Sequence, residues 1–408
     1  TKSLFLTSPL SNSEALQWKA SVKRIKELPA STLPTITQKA VAHRLLRIRS
    51  GAQPGCSRSR NSHLALVLQA PWGIIAMHAW VVRWAHGNVP PVVSSVWTSG
   101  HVKALGKSTP GVRPITLFEA PLKLATGVVL DSQKARTVKA LVPHQFGAML
   151  SCGAEQMVHL LRTLANIYPP NSTVFASTDV KNAFGNASRS LVVDSVCQQM
   201  PAFAHILGPL WAHQNSTLYM PSGQNIFDSF DVVDGMFQGE CLSSALFCFL
   251  LHSAITSFKH EISTRPHLAS LPIHVLAYIA DAVICCPRAQ FPEIWNLWVD
   301  TLTLFKLPVV PKKCCSWVPG ATLPTLEVHE RAAQSMCGLP VLGSAAQGHF
   351  STLLTSPTLC AAFDSPAVKP CKQRHDSAME LAFSLQAMMN LLLPTVAGTQ
   401  LGSSWLKY

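Results

Sequence analysis

Apolar and polar positions alternate along the chain in two periods, and together they predict a mixed α+β fold. Residues 173–180 form a short apolar run that ends at Asp179, as a strand buried on both faces does. A helical pattern follows it through about Met200. A second strand near 226–233 leads into the glycine-rich turn Gly235-Met236-Phe237-Gln238-Gly239, which opens an apolar helix from about Glu240 to His260. Residues 273–286 hold two β-rich runs that meet at Ala280-Asp281, the pattern of a hairpin. An amphipathic helix is predicted over 291–306, then a loop from Pro308 to Lys313.

The flanking regions are read in the same way. Residues 117–165 are helical with a break at 143–147, where Pro143 and Gly147 interrupt the period. The polar segment 99–115, carrying Lys103, Lys107 and Arg113, predicts a β-hairpin or loop, and Pro and Ser mark a connector near 88–98. Residues 63–82 approach the length of a membrane span, but Gln69, Pro71 and His78 interrupt them, so a buried helix pair is expected. Residues 338–343 (GLPVLG) predict another tight hairpin, and 375–408 a helix-rich segment. There are no internal repeats and no low-complexity tract.

Composition supports a folded core and an anionic partner. Hydrophobic residues make up 48% of the 408 positions and charged residues 13%, so most of the chain has apolar surface to bury. The few charges are lopsided, 33 Lys and Arg against 20 Asp and Glu, and a formal charge of +13 favours a polyanion such as nucleic acid. Basic clusters (Lys23, Arg24, Lys26; Arg44, Arg47, Arg49; Arg58, Arg60) punctuate residues 1–60 and suit phosphate contacts as well as a solvated face. The 12 cysteines include no CxxC pair, and Cys285-Cys286 and Cys314-Cys315 have no histidines spaced to complete a zinc site. They read as small buried hydrophobes of a reducing, intracellular compartment, nuclear or cytoplasmic. The chain has no secretory signal and begins at Thr1 rather than Met, so a piece of a longer protein is expected.

Three segments carry candidate chemistry. Asp179, at a strand's end, projects where a carboxylate can hold Mg²⁺ against a triphosphate, or it caps the helix that follows. Phe184, five residues on, is either a ring beneath a nucleotide sugar that leaves no room for a 2′-hydroxyl, or a core residue. The turn Gly235–Gly239 lets the backbone approach a base pair, with Gln238 as hydrogen-bonding group, or simply opens a helix. Asp281, at the hairpin, supplies a second carboxylate. Two carboxylates on neighbouring strands beside a nucleotide-hugging loop meet the needs of a two-metal polymerase.

The chain resembles the reverse transcriptases of non-LTR retrotransposons, most of all the site-specific, spliced-leader-associated elements of trypanosomatids. The resemblance spans roughly residues 95–345. It rests, in order, on Arg113-Pro114-Ile115, His144-Gln145-Phe146-Gly147, Gly153-Ala154-Glu155, Asp179 to Phe184, Gly235 to Ser243, Tyr278 to Asp281, Lys312 and Lys313, and residues 338–343. It implies a right-hand polymerase with a basic helical extension over 1–90, fingers over 91–170, a palm over 171–343 and part of a helical thumb over 344–408. Asp179 and Asp281 are then the metal ligands, for two Mg²⁺ ions or Mn²⁺. Lys107 and Arg113 steady the incoming triphosphate, Phe184 is the sugar gate, and Gln238 and Gly239 contact template or nucleotide. Lys312 or Lys313 protonates the leaving pyrophosphate. The implied partners are an RNA template, a DNA primer or target and deoxynucleoside triphosphates, with no membrane. Such elements carry a nuclease domain and zinc knuckles past the thumb; neither is in this sequence, and completed integration is not expected of it alone.

The hairpin departs from the family's aromatic-x-Asp-Asp. Taking Tyr278 as the aromatic puts Ala280 in place of the first acid; placing Ile279 there leaves Asp281 as the essential acid and puts Ala282 in place of the second. Glu240 and Ser244 are milder departures, from Asp and Pro. Two functions stand at this point: an RNA-directed DNA polymerase, and a catalytically inactive nucleic-acid-binding relic of one.

Overall fold

A computed structural model describes residues 2–49, 51–70, 72–106, 111–211, 216–221, 227–319 and 341–342. Its strands, in chain order, are β1 (Gly100–Gly106), β2 (Val112–Leu117), β3 (Thr173–Thr178), β4 (Ser216–Pro221), β5 (Phe227–Val232), β6 (His274–Tyr278), β7 (Asp281–Pro287), β8 (Cys315–Trp317) and β9 (Val341–Leu342). With many helices around two small sheets the fold is mixed α+β. It divides into two compact units, each assembled from three stretches of chain. One comprises Thr1–Ala140, Asn182–Ser253 and Phe305–Leu307, and the other Leu141–Lys181, Ala254–Leu304 and Pro308–Tyr408.

The first unit holds a four-stranded sheet in the order β2-β1-β4-β5. The hairpin expected over 99–115 is present, with His101 opposite Leu117 and Gly106 opposite Val112, and β1 runs parallel to β4. Helices pack around it. Asn12–Lys26 starts at a capping box, Ser11 accepting from the Glu14 N–H while the Glu14 carboxylate accepts from the Ser11 N–H. The connector expected near 88–98 is in fact largely a helix, Pro91–Trp97, because a proline at its first position costs no hydrogen bond and presets φ. Residues 63–82 do form a helix pair, Asn61–Ala65 running on as a 3-10 turn and Gly73–Ala85, but Leu66, Trp72 and Ile75 are 56%, 70% and 56% exposed, so one flank of the pair is not buried. The helix after Asp179 is broken in two, Ala183–Asn186 and Arg189–Gln199, and a further helix, Pro201–Trp211, follows.

A buried arginine organises this unit. Arg189 lies 5.6 Å from the ring of Trp211 and 5.5 Å from that of Phe237, and its Nε donates to the Gly235 carbonyl at 2.9 Å. Its own N–H donates to Asp234 Oδ1 at 2.7 Å. Burial lowers the guanidinium pKa to about 10 while the nearby Asp234 charge opposes the shift, so the cation is kept.

The second unit holds a five-stranded sheet in the order β6-β7-β3-β8-β9. Alternation along the strands gives it two covered faces. On one, Phe175, Leu276, Val283 and Cys285 pack with Met157, Leu160, Leu161 and Leu164 of the helix Gly153–Ile167. On the other lies Trp298 of the helix Phe291–Leu304, fully buried, its ring 5.2 Å from that of Phe258. The expected hairpin over 273–286 is β6 and β7, turning at Ile279-Ala280. Cys248, Cys285, Cys286 and Cys314 are buried, as read from sequence, but Cys152 is exposed and Cys56, Cys197 and Cys241 are only half-buried. Of the hairpin expected over 338–343 only Val341 and Leu342 are described, as β9 parallel to β8; the remainder and the segment 344–408 lie outside the described residues.

Candidate functional site

The site is built at the ends of β3 and β7. Their antiparallel register runs from Thr173 opposite Pro287 to Thr178 opposite Ala282 and, carried on by one residue, sets Asp179 opposite Asp281. Residues at such positions lie on the same face of neighbouring strands, and the two carboxyls are close enough to interact electrostatically. Protein packed around the Asp281 carboxyl, and then the negative charge of Asp179, raises its pKa above the usual carboxylate range. The Asp281 side chain still reaches solvent, which limits the burial effect; repulsion by Asp179 is the firmer cause. Such repulsion is what a divalent cation relieves.

Asp179 is held by its main chain. Its N–H donates to the Cys314 thiol at 3.3 Å, and its carbonyl accepts from the Val310 N–H at 2.9 Å. The next tie is Lys181 N–H to the Pro308 carbonyl, 2.8 Å. The loop expected over 308–313 is therefore a brace, closed by a 3-10 turn at Pro311–Lys313. It also brings Lys313 Nζ to 3.7 Å from Asp179 Oδ1, with both side chains partly in solvent. Asp179 does not cap the helix that follows, whose N-cap is Asn182 in a left-handed conformation.

Asp281 is set by the turn before it. Tyr278 pairs with Asp281, leaving Ile279 and Ala280 as the two turn residues, and Ile279 has φ +56°. A β-branched residue rarely adopts that conformation, at a cost of about 1–3 kcal/mol. The Gln145 side chain holds it there. Its Oε1 accepts from the Ile279 N–H at 2.7 Å and from the Gly147 N–H at 3.0 Å, and its Nε2 donates to the Ile279 carbonyl at 3.0 Å. Three hydrogen bonds contributing about 0.5–1.5 kcal/mol each are enough to offset the strain. Main-chain bonds from Phe146 N–H to the Ala277 carbonyl and from Ala277 N–H to the His144 carbonyl, both 2.7 Å, extend the clamp. A Cβ on Gly147 would sit 2.4 Å from the Ile279 nitrogen, so only glycine fits. Lys259 Nζ, a donor only, lies 3.1 Å from His144 Nε2, which leaves His144 Nδ1 to donate to the Val275 carbonyl.

The alanines beside Asp281 have different surroundings. Ala282 is 3% exposed and by alternation faces the Trp298 side, away from Asp179. Ala280 sits half-exposed in the turn.

The remaining predicted residues belong to the first unit. Phe184 is half-buried against Phe247, ring centroids 5.3 Å apart, and its carbonyl accepts from the Met236 N–H at 2.8 Å. Gly235 has φ +87°, and a Cβ there would meet the Gly185 carbonyl at 2.3 Å; the Phe184 turn and the glycine turn thus pack backbone to backbone. The Gln238 carbonyl accepts from the Thr116 N–H at 2.7 Å, and Gly239, φ +109°, passes the Thr116 carbonyl where no Cβ fits. Both are thereby held to β2, which carries exposed Arg113. The helix after this turn starts at Ser243 rather than Glu240, whose carboxylate instead accepts from the Leu242 N–H at 2.8 Å. Lys107 lies outside the described residues, as does the side chain of Lys312.

Asp179, Asp281 and Lys313 are thus gathered in one unit, and Phe184, Gln238, Gly239 and Arg113 occur in the other. Sequence reasoning used Gln145 and Gly147 only as part of a resemblance and did not find the clamp. Its signal was the Ile-Ala pair at a two-residue hairpin turn, where glycine or asparagine is usual. Among the described residues no three His, Cys, Asp or Glu side chains gather as a metal cluster, so the donor set is the aspartate pair. That set suits Mg²⁺, which is commonly held by one or two carboxylates with water and phosphate oxygens completing its shell. No helix among the described residues is long and apolar enough to cross a membrane.

No protein-family model and no curated protein matches the chain. Among solved structures, apo telomerase from Candida tropicalis, truncated from its C-terminal domain, is similar over 54% of this chain and 50% of that one, at 12% identity and a TM-score of 0.42. The chain spans about half the length of that structure, and a likeness of this size fixes neither a fold family nor a function.

Proposed function

We propose that the chain carries the fingers and palm of a right-hand RNA-directed DNA polymerase of the non-LTR retrotransposon type. The observation that supports this best is the opposed pair Asp179 and Asp281 at the end of an antiparallel ladder, with Asp281 titrating above its usual range beside its partner. In this reading the pair holds Mg²⁺ or Mn²⁺, which when bound lowers the pKa of the primer 3′-hydroxyl and neutralises phosphate charge. The 3′-hydroxyl gives its proton to solvent and its oxygen forms the new bond to the α-phosphorus of a deoxynucleoside triphosphate as the bond to pyrophosphate breaks. Lys313, already beside Asp179, gives pyrophosphate its proton. For the first unit taken by itself, the resemblance implies Phe184, which packs on Phe247, as the sugar gate and Arg113 as a triphosphate contact.

The coupling of Asp281 to Asp179 suits the register in which Asp281 is the essential acid, whereas the burial of Ala282 suits the one in which Tyr278 is the family's aromatic and Ala280 replaces its first acid. Ala280 in the place of that acid supports a second reading, a protein that binds nucleic acid without turnover. Primer extension on an RNA template with Mg²⁺ or Mn²⁺ separates them. Extension by the chain, abolished in Asp179→Ala with RNA binding retained, is expected of the polymerase; extension gained only in Ala280→Asp is expected of the relic. Extension unchanged by Asp179→Ala would remove that carboxylate from the metal site.

A further inference from the structure

We infer that Gln145 is a positioning residue for Asp281. Its side-chain amide takes the place of a neighbouring strand residue, bonding to both the N–H and the carbonyl of Ile279 and so fixing the left-handed corner that aims the first residue of β7. The amide orientation is set by its partners, since Oε1 accepts from two N–H groups, Ile279 and Gly147, and the reversed amide would oppose donor to donor. Gln145 is 1% exposed, so no water substitutes for it. Gly147 supplies the second half of the device by letting its backbone pass the Ile279 nitrogen where a Cβ would lie 2.4 Å away.

The consequence is positional. Ala280 is the one residue between the corner and Asp281, so a change in φ at Ile279 swings the carboxylate relative to Asp179, which is held independently by Val310 and Cys314. Gln145 reaches neither the substrate nor the metal in this scheme; it acts through Ile279. That role rests on the metal site proposed above, whereas the clamp itself does not.

The test therefore has two readouts, both on the full chain. Hydrogen exchange of the peptide spanning 274–286 reads the clamp: Gln145→Ala is expected to speed exchange of the turn amides at least tenfold, and unchanged exchange overturns the inference. Mn²⁺ titration followed by electron paramagnetic resonance reads the site. Gln145→Ala is expected to weaken Mn²⁺ binding at least fivefold without loss of RNA binding. Ile279→Gly, which adopts positive φ without strain, is expected to bind Mn²⁺ as the parent does and to restore binding within twofold when combined with Gln145→Ala. A general loss of folding would weaken RNA binding as well and would not be specific to the corner, so that pattern also counts against the inference. Parent-like Mn²⁺ binding in Gln145→Ala, where Asp281→Asn weakens it, overturns the positioning role alone. Binding unaffected by either Asp179→Asn or Asp281→Asn overturns the metal reading, and the positioning role with it, while the exchange result still decides the clamp.

Discussion

The indole N–H of Trp298 donates to the hydroxyl of Thr178 across 3.0 Å, between a helix and the last residue of β3. Both are buried, and the next residue is Asp179. Trp298→Phe removes the donor and part of the ring, leaving the Thr178 oxygen without this partner. It should cost about 1–3 kcal/mol, visible as a lowered midpoint in thermal or urea denaturation. An unchanged midpoint would mean that the contact does not fasten the strand.

Acid variants on either side of Asp281 should behave oppositely. Ala282→Asp places a carboxylate in the packed face beside Trp298, and a loss of several kcal/mol in urea unfolding is expected. Ala280→Asp lies in a half-exposed turn and should leave stability within about 0.5 kcal/mol. Equal stabilities for the two would contradict the facing assigned to Ala282.

Phe184→Ala tests the sugar gate. Removing the half-buried ring from Phe247 should raise the ratio of ribonucleotide to deoxynucleotide incorporation, in whichever form of the chain extends a primer. A ratio that does not move would return Phe184 to an ordinary packing role.

Acid should loosen the second unit through His274. Burial first, and then the Lys259 charge, depress its pKa from 6.5 to about 4, with Nε2 lying 2.7 Å from the Tyr168 hydroxyl. Because the folded value is the lower one, the unfolded chain takes up a proton that the folded chain refuses. The stability is fully present above pH 6.5 and is lost as pH falls through 6.5 toward 4. The loss should reach about 2 kcal/mol by pH 5. Urea midpoints at pH 7 and pH 5 should differ in the parent and converge in His274→Gln.

Much of the site's framework was legible because period and punctuation carry it. The short apolar run before Asp179, the β-rich runs around Ala280-Asp281 and the glycine turn at 235–239 each signal their own local structure. What pairs across the chain was less so. Nothing local to Cys314 announces that its thiol receives the Asp179 N–H, and nothing around Gln145 announces Ile279, because the partner in each contact is a distant backbone group of a kind that every residue type possesses. The helix Pro91–Trp97 was missed for a simpler reason: its prolines read as breakers when one of them starts it. The exposed flank with Trp72 and Ile75 was misjudged because apolar sequence alone does not reveal which side of a helix is covered.

The brace on Asp179 has a consequence for how the chain comes into being. Both aspartates leave the ribosome before Cys314, whose thiol and preceding loop fix the first of them. At ordinary rates of synthesis the nascent chain exposes its acids for on the order of seconds before that anchor arrives. The bracing of Asp179 is therefore the last thing made in this stretch of the protein, and interrupted translation yields both carboxylates without it.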